Sequence, residues 1–420
     1  GDEDFFTRLR GEEFSRLDRE DLAYVDYAGS ALYASSQLRA HFARLDCGVF
    51  GNPHSEHAAS RASSHMVEAA RDRVLRFFDV DSSSHVLCFT ANTTAAVKLI
   101  AESYPFSDGN SLVLSADNHN SVNGIREYAR RAGARVRTLP LDETLKLKDP
   151  EEALRDAARH GRGLFAYPAQ SNFSGVIHPG SLAAHARGLG FDVLLDAAAF
   201  APSHPLSLAV CPADFVVLSF YKMFGLPTGL GALIARRDAL ARLERPWFSG
   251  GTVDYVSVQL DVHRLRQGHE GFEDGTVNFL GIAALDAGFD LLARVGMPRL
   301  AARVDGLAAS FAAGLNALRH RSGAPLATIY GPAIPGERGG GVAFNLRNGR
   351  GEPIPFSVAE KRAARGGVAV RGGCFCNPGA AEAAFGLDAS ETGRCLTRLG
   401  DRFTIPAFCE CMGREVGADA

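Results

Sequence analysis

The stretch DFVVLSFYKMFGLPTGLG at residues 214–231 decides the fold more than any other part of this sequence. An apolar run typical of a buried strand leads into Lys222, and no other charged side chain follows Asp214. An amine in such surroundings is desolvated, which lowers its pKa and favours the neutral form that forms a Schiff base. The alternative is a lysine that extends its charged end to solvent. This stretch alone does not decide between them.

Short β-rich runs and helix-period stretches alternate on both sides of it. Strands are predicted at 86–89, 112–114, 136–139, 164–167, 193–195, 215–218 and 231–234. Amphipathic periodicity predicts helices at 61–78, 120–132, 281–295 and 298–318. This alternation is typical of an α/β fold with a mostly parallel, seven-stranded sheet covered by helices.

A smaller α/β portion is predicted to follow. Its elements are strands at 342–346 and 368–371, a helix near 357–365, and a final strand and helix from residue 394. No internal repeat or long linker separates the two portions. We predict a large domain over residues 20–290 and a small C-terminal domain over 291–420 that includes residues 1–19.

The composition argues against several classes of protein. The 420 residues carry 45 Lys and Arg against 48 Asp and Glu, so the basic surface of a nucleic-acid binder is not expected. A hydrophobic content of 46% indicates a sizeable core rather than disorder. No apolar run approaches the roughly 20 residues of a membrane helix, and the acidic start is unlike a signal peptide. We therefore expect a cytoplasmic protein that binds neither nucleic acid nor membranes.

Motifs and cysteines narrow the chemistry further. The sequence lacks G-x-G-x-x-G after a first strand, G-x-x-x-x-G-K-[ST], H-E-x-x-H and C-x-x-C, which argues against nicotinamide, P-loop and common zinc chemistry. Eight cysteines are too few for a disulfide scaffold, so we expect thiols. A four-thiolate metal site from Cys374, Cys376, Cys409 and Cys411 is the alternative. Two C-x-C pairs are poor zinc spacing, and we predict no metal.

Polar side chains follow several of the predicted strands. Asp196 ends one of them, at the sheet edge where ligands bind in open α/β folds, and a carboxylate there suits a protonated pyridine nitrogen. Thr93 and Thr94 open a helix whose N-terminus suits a phosphate. His119 can stack on a flat ring or move a proton, and Asn172 can hydrogen-bond a phenolate oxygen. Each residue alone is better explained as a cap, but together with the lysine they match a phosphate-bearing pyridine aldehyde.

At these positions the sequence resembles the fold-type I pyridoxal-phosphate enzymes of aminotransferase class V, which include the cysteine desulfurases. Within them it looks most like the desulfurase domain of molybdenum-cofactor sulfurases. The matching segments are YVDYAG (24–29), GNPHS (51–55), FT (89–90), YPAQSNFSG (167–175), LDAA (195–198), SFYKMFGLPTGLG (219–231), GFEDGT (271–276) and RGGCFCNPG (371–379). The SFYK and CFCNPG stretches are specific to that subgroup.

The resemblance implies a role for each site residue. Lys222 would carry pyridoxal 5'-phosphate, Asp196 would pair with its ring nitrogen, and His119 would stack on the ring. The other implied contacts are Asn172 to the ring oxygen, Thr93, Thr94 and Ser219 to the phosphate, and Tyr221 beside the lysine. A homodimer is implied too, because residues 250–252 match the segment whose threonine, here Thr252, reaches the partner's phosphate pocket.

The reaction that the resemblance implies takes sulfur from L-cysteine. Lys222 would remove the Cα proton, and Cys376 would accept the sulfur as a persulfide while alanine leaves. A sulfur-acceptor protein or cofactor is implied as a partner. The family's sulfurases carry a further C-terminal domain that receives the cofactor, and no counterpart is expected in these residues.

The sequence departs from the family at two polar positions. Ala199 stands where desulfurases usually have a glutamine, and Leu396 occupies the position of the arginine that binds the substrate carboxylate. On a predicted terminal strand at 393–400, Arg398 shares the face of that position and becomes the candidate, with Arg371 as second choice.

Two other functions remain open at this stage. One keeps the cofactor but changes the reaction to that of a β-lyase, epimerase or aminotransferase on another amino acid. The other is a cofactor-free dimeric scaffold.

Overall fold

Residues 1–332 and 336–412 are described by a computed structural model of the chain. Within them the strands are β1 Ala23–Tyr24, β2 His85–Thr90, β3 Ser111–Ser115, β4 Arg135–Leu139, β5 Gly163–Pro168, β6 Asp192–Asp196, β7 Phe215–Ser219, β8 Gly231–Arg236, β9 Val253–Ser257, β10 Val262–Leu265, β11 Ala327–Tyr330, β12 Ala343–Leu346 and β13 Val368–Ala369.

The helices in the same residues are α1 Asp2–Glu13, α2 Arg16–Arg19, α3 Ser35–Cys47, α4 Ala58–Phe77, α5 Thr93–Ser103, α6 Asn120–Asn123, α7 Ile125–Arg131, α8 Pro150–Ala158, α9 Ser181–Gly188, α10 Phe220–Phe224, α11 Arg237–Leu240, α12 Phe279–Ile282, α13 Leu285–Val295, α14 Met297–Ala317, α15 Phe356–Arg365, α16 Pro378–Phe385, α17 Ala389–Leu399 and α18 Ile405–Met412. Short 3₁₀ helices lie at Gly268–Phe272 and Gly400–Arg402.

Seven strands form the central sheet, in the order β2-β8-β7-β6-β5-β3-β4. β8 is antiparallel to β2 and β7, and the other neighbours are parallel. The mostly parallel sheet and its seven predicted strands are confirmed. Side chains of β3, β5 and β7 are buried throughout, as expected of apolar strands that helices cover on both faces.

Helices pack on both faces of this sheet. α4 and α13 bury Val74 and Phe289 against one face, and α5 and α7 bury Ile100 and Ile125 against the other. The helix predicted at 120–132 corresponds to two helices, α6 and α7, which are separated only by Gly124, whose φ of −61° and ψ of −19° are themselves helical.

The carboxyl ends of β2, β3, β5, β6 and β7 all lie at one edge of the sheet. Open α/β sheets bind their ligands at this edge. The loops that leave these strands therefore bring residues that are distant in sequence close together.

The C-terminal part of the chain contributes smaller sheets. β11 and β12 form an antiparallel hairpin, and β13 pairs in parallel with β1 near the start of the chain. The N-terminal helix α1 is tied to α13, where Nη1 of Arg294 lies 3.0 Å from Oε1 of the buried Glu13. The domain limits at 20–290 and 291–420 stay a prediction.

The strand predicted from residue 394 is wrong, because residues 389–399 form helix α17. Asp388 caps this helix by accepting hydrogen bonds from the backbone N–H groups of Ser390 and Glu391. Apolar and polar residues alternate in RCLTRLG (394–400), as in a strand. The stretch is too short, however, to distinguish a strand from a helix that is buried on one side. The buried side is that of Cys395, which packs against Phe408.

The expectation that all cysteines are thiols is also wrong, since Cys395 is disulfide-bonded to Cys411. Cys411 is therefore not available for the four-thiolate alternative. Within residues 1–332 and 336–412, no group of three or more His, Cys, Asp or Glu side chains is placed to hold a metal. Among the same residues, no helix is long and apolar enough to cross a bilayer.

Candidate active site

A cavity of about 320 Å³ opens at the carboxyl edge of the sheet. Eight residues singled out in the sequence line it, namely Thr93, Thr94, His119, Asn172, Asp196, Ser219, Tyr221 and Lys222. Asp196 and Ser219 end β6 and β7, and the other six lie in loops and helices that follow β2, β3, β5 and β7. Sequence reasoning did not identify Asn92, Ser121, Gln170 or Thr228, which also line the cavity.

Lys222 lies in α10, the short helix that follows β7 directly. Its pKa is lowered by burial, and the nearby charge of Arg371 acts in the same direction, while Asp196 and Cys376 oppose them. The amine lines the cavity. An amine with a lowered pKa in an enclosed site is the form that condenses with an aldehyde.

Asp196 is the last residue of β6, and only 7% of it is exposed. Its Oδ1 accepts a hydrogen bond of 2.9 Å from the backbone N–H of Ala198, which fixes the carboxylate at the floor of the cavity. The negative charge acts on both Lys222 and His119 and raises their pKa values against the effect of burial. A cationic ring nitrogen would be stabilised in the same way.

The imidazole of His119 is held in one orientation. The backbone N–H of Ser121 donates to its Nδ1 over 3.1 Å, so the ring proton of the neutral form lies on Nε2. Burial lowers the pKa of His119, as does Lys222, and Asp196 opposes them. The cavity therefore contains a neutral, flat ring.

Four hydroxyl groups meet at the N-terminus of α5. Ser219 Oγ accepts from the backbone N–H of Thr93 over 2.8 Å and lies 2.7 Å from its Oγ1, while Oγ1 of Thr94 lies 2.7 Å from Oγ of Ser121. Asn92 caps the helix through the N–H of Ala95. Hydroxyl and N–H donors at a helix N-terminus favour a phosphate. Sequence reasoning missed Ser121, although it lies only two residues after His119, in helix α6.

Cys376 lies in the cysteine loop, residues 371–379, which packs against the wall of this cavity. The backbone N–H of Asn120 donates to the carbonyl oxygen of Cys376 over 2.7 Å. Phe375 and Cys376 have φ angles of 57° and 56°, which are unfavourable for residues with a side chain and need support from their surroundings. A Cβ at Gly379 would lie 2.1 Å from the carbonyl oxygen of Ala116, so only glycine allows the loop to approach this closely.

That support comes from a buried polar network beneath the loop. The carboxylate of Asp117 accepts from Asn377 Nδ2 at 2.8 Å and from Ser171 Oγ at 2.7 Å, and His178 Nε2 lies 2.8 Å from it. All four residues are buried. Sequence reasoning missed Asp117 and His178, since their contact forms only when the loops after β3 and β5 meet.

Asn172 holds the same loop from the cavity side. Its Nδ2 donates to the carbonyl oxygen of Phe375 over 2.6 Å, and its Oδ1 accepts from Asn377 Nδ2 over 3.0 Å. The ring-oxygen contact predicted for Asn172 thus competes with its contacts to the cysteine loop.

Four predicted residues do not line the cavity. One is Cys376, and the others are Thr252, Arg398 and Arg371. Thr252 is fully buried in its own loop, where its hydroxyl donates to the carbonyl oxygen of Ser249 and accepts from its N–H, both over 2.9 Å. Arg398 is exposed on α17, so the strand-face argument for a carboxylate contact fails. Arg371 forms a two-pronged ion pair with Asp26, with distances of 2.9 and 2.8 Å.

The residues that meet in the cavity fit pyridoxal phosphate. That molecule needs an anion for its ring nitrogen, donors for its phosphate, a flat partner for its ring and an amine for its aldehyde. The anion is Asp196, and the donors are the four hydroxyls. The flat partner is His119, and the amine is that of Lys222.

Comparison with known proteins supports the same family. A family model described as Aminotransferase class-V matches residues 23–392. The molybdenum cofactor sulfurase of Solanum lycopersicum is 37% identical over 413 residues, which cover 90% of this chain and 50% of the relative. The molybdenum cofactor sulfurase of Homo sapiens is 35% identical over 401 residues, or 90% of this chain and 45% of the relative. The chain spans about half the length of these curated relatives.

The fold has a counterpart among solved structures. The apo structure of the cysteine desulfurase from Thermococcus onnurineus NA1 superposes with a TM-score of 0.80 at 24% identity, and the match covers 90% of each chain. This confirms the expected α/β class, that of fold-type I transferases. With a family match over most of its length, the chain belongs to the aminotransferase class-V family.

Proposed function

We propose that the protein is a pyridoxal-phosphate enzyme that takes sulfur from L-cysteine, holds it as a persulfide on Cys376 and releases alanine. One observation carries this proposal. The loop with Cys376 is hydrogen-bonded to Asn120 and Asn172, so a thiol lies beside the cavity that contains the buried amine of Lys222. A lyase or aminotransferase needs the amine but not the thiol.

The chain's own residues divide the work between binding and proton transfer. The hydroxyls of Thr93, Thr94, Ser121 and Ser219 would bind the phosphate, and Asp196 would keep the ring nitrogen protonated. Bound pyridoxal phosphate supplies an electron sink for the charge left when the substrate loses its Cα proton. The amine of Lys222 would take that proton.

The thiolate of Cys376 then attacks the sulfur atom of the substrate. A sulfur–sulfur bond forms as the carbon–sulfur bond breaks, and the bonding pair stays with the substrate carbon, which gains a proton and becomes the methyl group of alanine. No oxidant or reductant is needed. An acceptor thiol, protein or cofactor then removes the sulfur from Cys376.

The test is product analysis with the purified chain. Incubated with L-cysteine and a reducing thiol, the yellow protein should release alanine and sulfide in equal amounts, and a panel of other amino acids should give neither. Pyruvate and ammonia in place of alanine would assign it to the β-lyases. A colourless protein that takes up no pyridoxal phosphate would leave only the scaffold function.

We also propose that the protein is a homodimer. The β9–β10 hairpin and the segment before it expose large apolar side chains, at Trp247, Tyr255, Val258 and Leu260. Four large apolar side chains exposed within 14 residues of sequence favour a protein interface here. The mass in solution should be twice that of the chain, and Val258→Asp with Leu260→Asp should shift it toward the monomer. A monomeric native protein would refute this part of the proposal.

A further inference from the structure

A buried ion pair between Arg71 and Glu273 lies against the outer edge of the central sheet. β2 is the outermost strand on one side, and among the described residues no strand pairs with its outer edge. Nη1 and Nη2 of Arg71 lie 2.7 and 3.2 Å from the two carboxylate oxygens of Glu273. The two residues are only 6% and 8% exposed. Because apolar side chains of similar volume often replace a buried ion pair without loss of stability, stability alone does not explain this pair.

The pair bonds to β2 as a neighbouring strand would. The backbone N–H of Phe89 donates to Oε1 of Glu273 over 2.7 Å, and the guanidinium of Arg71 donates to the carbonyl oxygen of Leu87. Leu87 and Phe89 are two residues apart, so their backbone groups point to the same side of the strand. The carboxylate takes the place of a carbonyl oxygen and the guanidinium that of an N–H. The outer side of β2 is therefore fixed close to its carboxyl end.

That end of β2 leads directly into the proposed phosphate site. The strand ends at Thr90, whose Oγ1 donates to the carbonyl oxygen of Asn92 over 2.9 Å. Asn92 lines the cavity and caps α5. A Cβ at Gly231 in β8 would lie 2.7 Å from Cα of Asn92, so β8 leaves this backbone no room on its inner side. The start of α5 is thus placed by β8 on one side and, through β2, by Glu273 on the other.

The segment that presents Glu273 is itself held in place. The next residue, Asp274, accepts a hydrogen bond from Oγ of Ser249 over 2.7 Å and lies 2.9 Å from Nη2 of Arg245. The side chain of Arg245 is only 1% exposed. The position of the Glu273 carboxylate therefore depends on its own chain segment as well as on Arg71.

We propose that Glu273, together with Arg71, is a positioning residue for the phosphate of the bound cofactor. The carboxylate holds the end of β2 so that the N–H and hydroxyl donors at the start of α5 face the cavity. This inference rests on the proposed cofactor and adds two residues that do not line the cavity. Loss of the pair should weaken the contacts to the phosphate and leave those to the ring and the aldehyde, which come from β3, β6 and β7 and the segments that follow them.

The experiment compares pyridoxal phosphate with pyridoxal, which lacks the phosphate. Uptake of each by the cofactor-free protein is followed through the visible absorbance of the lysine adduct, so no turnover is needed. The main variant combines Arg71→Met with Glu273→Leu, an apolar replacement of the kind that often keeps a fold stable. Its dissociation constant for pyridoxal phosphate should rise about 10-fold, the size of one lost hydrogen bond, while that for pyridoxal should not change.

Two further variants isolate the carboxylate. Arg71→Met with Glu273→Gln differs from the main variant only by an amide that can still accept from the N–H of Phe89, so it should restore most of the lost affinity. Glu273→Asp keeps the charge beside Arg71 but shortens the side chain by one methylene. It should weaken the binding of pyridoxal phosphate alone, and it decides the matter if the main variant does not fold.

The matched control is a similar pair at the opposite edge of the sheet. Asp214, 2% exposed and directly before β7, accepts from the backbone N–H of Val193 over 2.9 Å and lies 3.2 Å from Nε of Arg187. Arg187→Met with Asp214→Leu also removes a buried carboxylate from a backbone N–H of the sheet, but at the amino ends of β6 and β7. Its affinities for both forms of the cofactor should equal those of the wild type.

The outcomes separate this inference from the proposed function. A wild-type protein that forms no adduct, or that binds both forms equally, would refute the proposed cofactor contacts. A wild-type preference for pyridoxal phosphate that persists unchanged in the folded variants of Glu273 would refute the positioning role alone. Equal weakening of both forms would show that the pair supports the whole cavity and would also overturn the inference.

Discussion

The two sides of the cavity are built in different ways. Lys222 and Asp196 follow or end buried strands of the central sheet, whose ladders fix the backbone on both sides. Cys376 lies in a loop outside the sheet, held by backbone and side-chain hydrogen bonds to Asn120, Asn172 and Asp117. We call the part of the cavity with Lys222 and Asp196 the lysine side and the loop with Cys376 the cysteine side. The lysine side belongs to the central sheet, whereas the cysteine side packs against it from outside.

Because the two sides are held by different contacts, we expect them to fail separately. Changes on the lysine side should remove the cofactor and every later step. Changes in the cysteine loop should leave the cofactor in place and slow only the transfer of sulfur. The predictions below test that separation.

The largest effect is expected for Lys222→Ala. Without the buried amine no borohydride-reducible adduct should form, and the release of alanine from cysteine should fall by a factor of about 10³ or more. Lys98→Ala is the control, because Lys98 is exposed on α5, where it forms an ion pair with Glu102 at 3.6 Å. An adduct that persists in Lys222→Ala and maps to another lysine would refute the assignment.

A nearly equal loss of sulfur transfer is expected for Cys376→Ser, but with a different signature. The yellow adduct should remain, and mass spectrometry after cysteine treatment should find no persulfide. Cys374→Ser is the control two residues away, since Cys374 is buried and burial raises the pKa of its thiol. Loss of colour in Cys376→Ser, or added sulfur on Cys374 in the wild type, would contradict the separation of the two sides.

A smaller loss of sulfur transfer is expected when contacts that hold the cysteine loop are removed and Cys376 itself is kept. Asn377→Ala removes donors to Asp117 and Asn172, at 2.8 and 3.0 Å, and leaves the buried carboxylate short of one partner. At about 1–3 kcal/mol for such a loss, persulfide formation should slow by about 10- to 100-fold while the adduct keeps its spectrum. The rate of persulfide formation and the visible spectrum are measured on the same sample.

Asn348→Ala is the matched control for this change. Asn348 also makes several local hydrogen bonds, in the exposed turn after β12, and its loss should affect neither reading. If Asn377→Ala instead loses colour and sulfur transfer together, the network supports the whole site and the two sides are not separable.

The sequence predicted the lysine side well because its signals are local. A short apolar run predicts a buried strand. Because parallel strands end at the same edge of the sheet, the polar residues that follow them are brought close together. The seven strands and six of the eight cavity residues follow from that rule, whereas Ser219 and Tyr221 were implied by the resemblance to the family. Each needs only its own neighbours in sequence to be located.

The cysteine side and the C-terminal part were harder to predict from the sequence, because their contacts join segments that are far apart along the chain. His178 reaches Asp117 across 61 residues, and Asn172 reaches Phe375 across 203. Residues 393–400 were read as a strand because the pattern was too short to show the single buried position of a helix at Cys395. Nothing near Gln170 in sequence shows that its Oε1 would lie buried without a hydrogen-bond partner in the described part of the chain.

The smallest effect is expected between the two sides, at the ion pair of Arg371 with Asp26. The charge of Arg371 lowers the pKa of Lys222, although half of the arginine side chain is exposed and solvent weakens its influence. Capture of the cofactor needs the neutral amine, so its rate rises with pH through the pKa of Lys222 in the cofactor-free protein. Arg371→Met should raise that pKa and move the midpoint upward, and Asp26→Asn should leave the arginine unpaired and move it downward.

Each shift should amount to a few tenths of a pH unit and should shrink in high salt, because exposed charges are screened. Stopped-flow absorbance of cofactor uptake against pH measures the midpoint in all three proteins. Shifts of the same sign in both variants would show that they act through the position of the loop and not through charge. The KM for cysteine, measured in parallel, tests the substrate role predicted for Arg371. A guanidinium that binds the carboxylate should give a raised KM in Arg371→Met and no such rise in Asp26→Asn, which keeps the arginine and frees it from its ion pair.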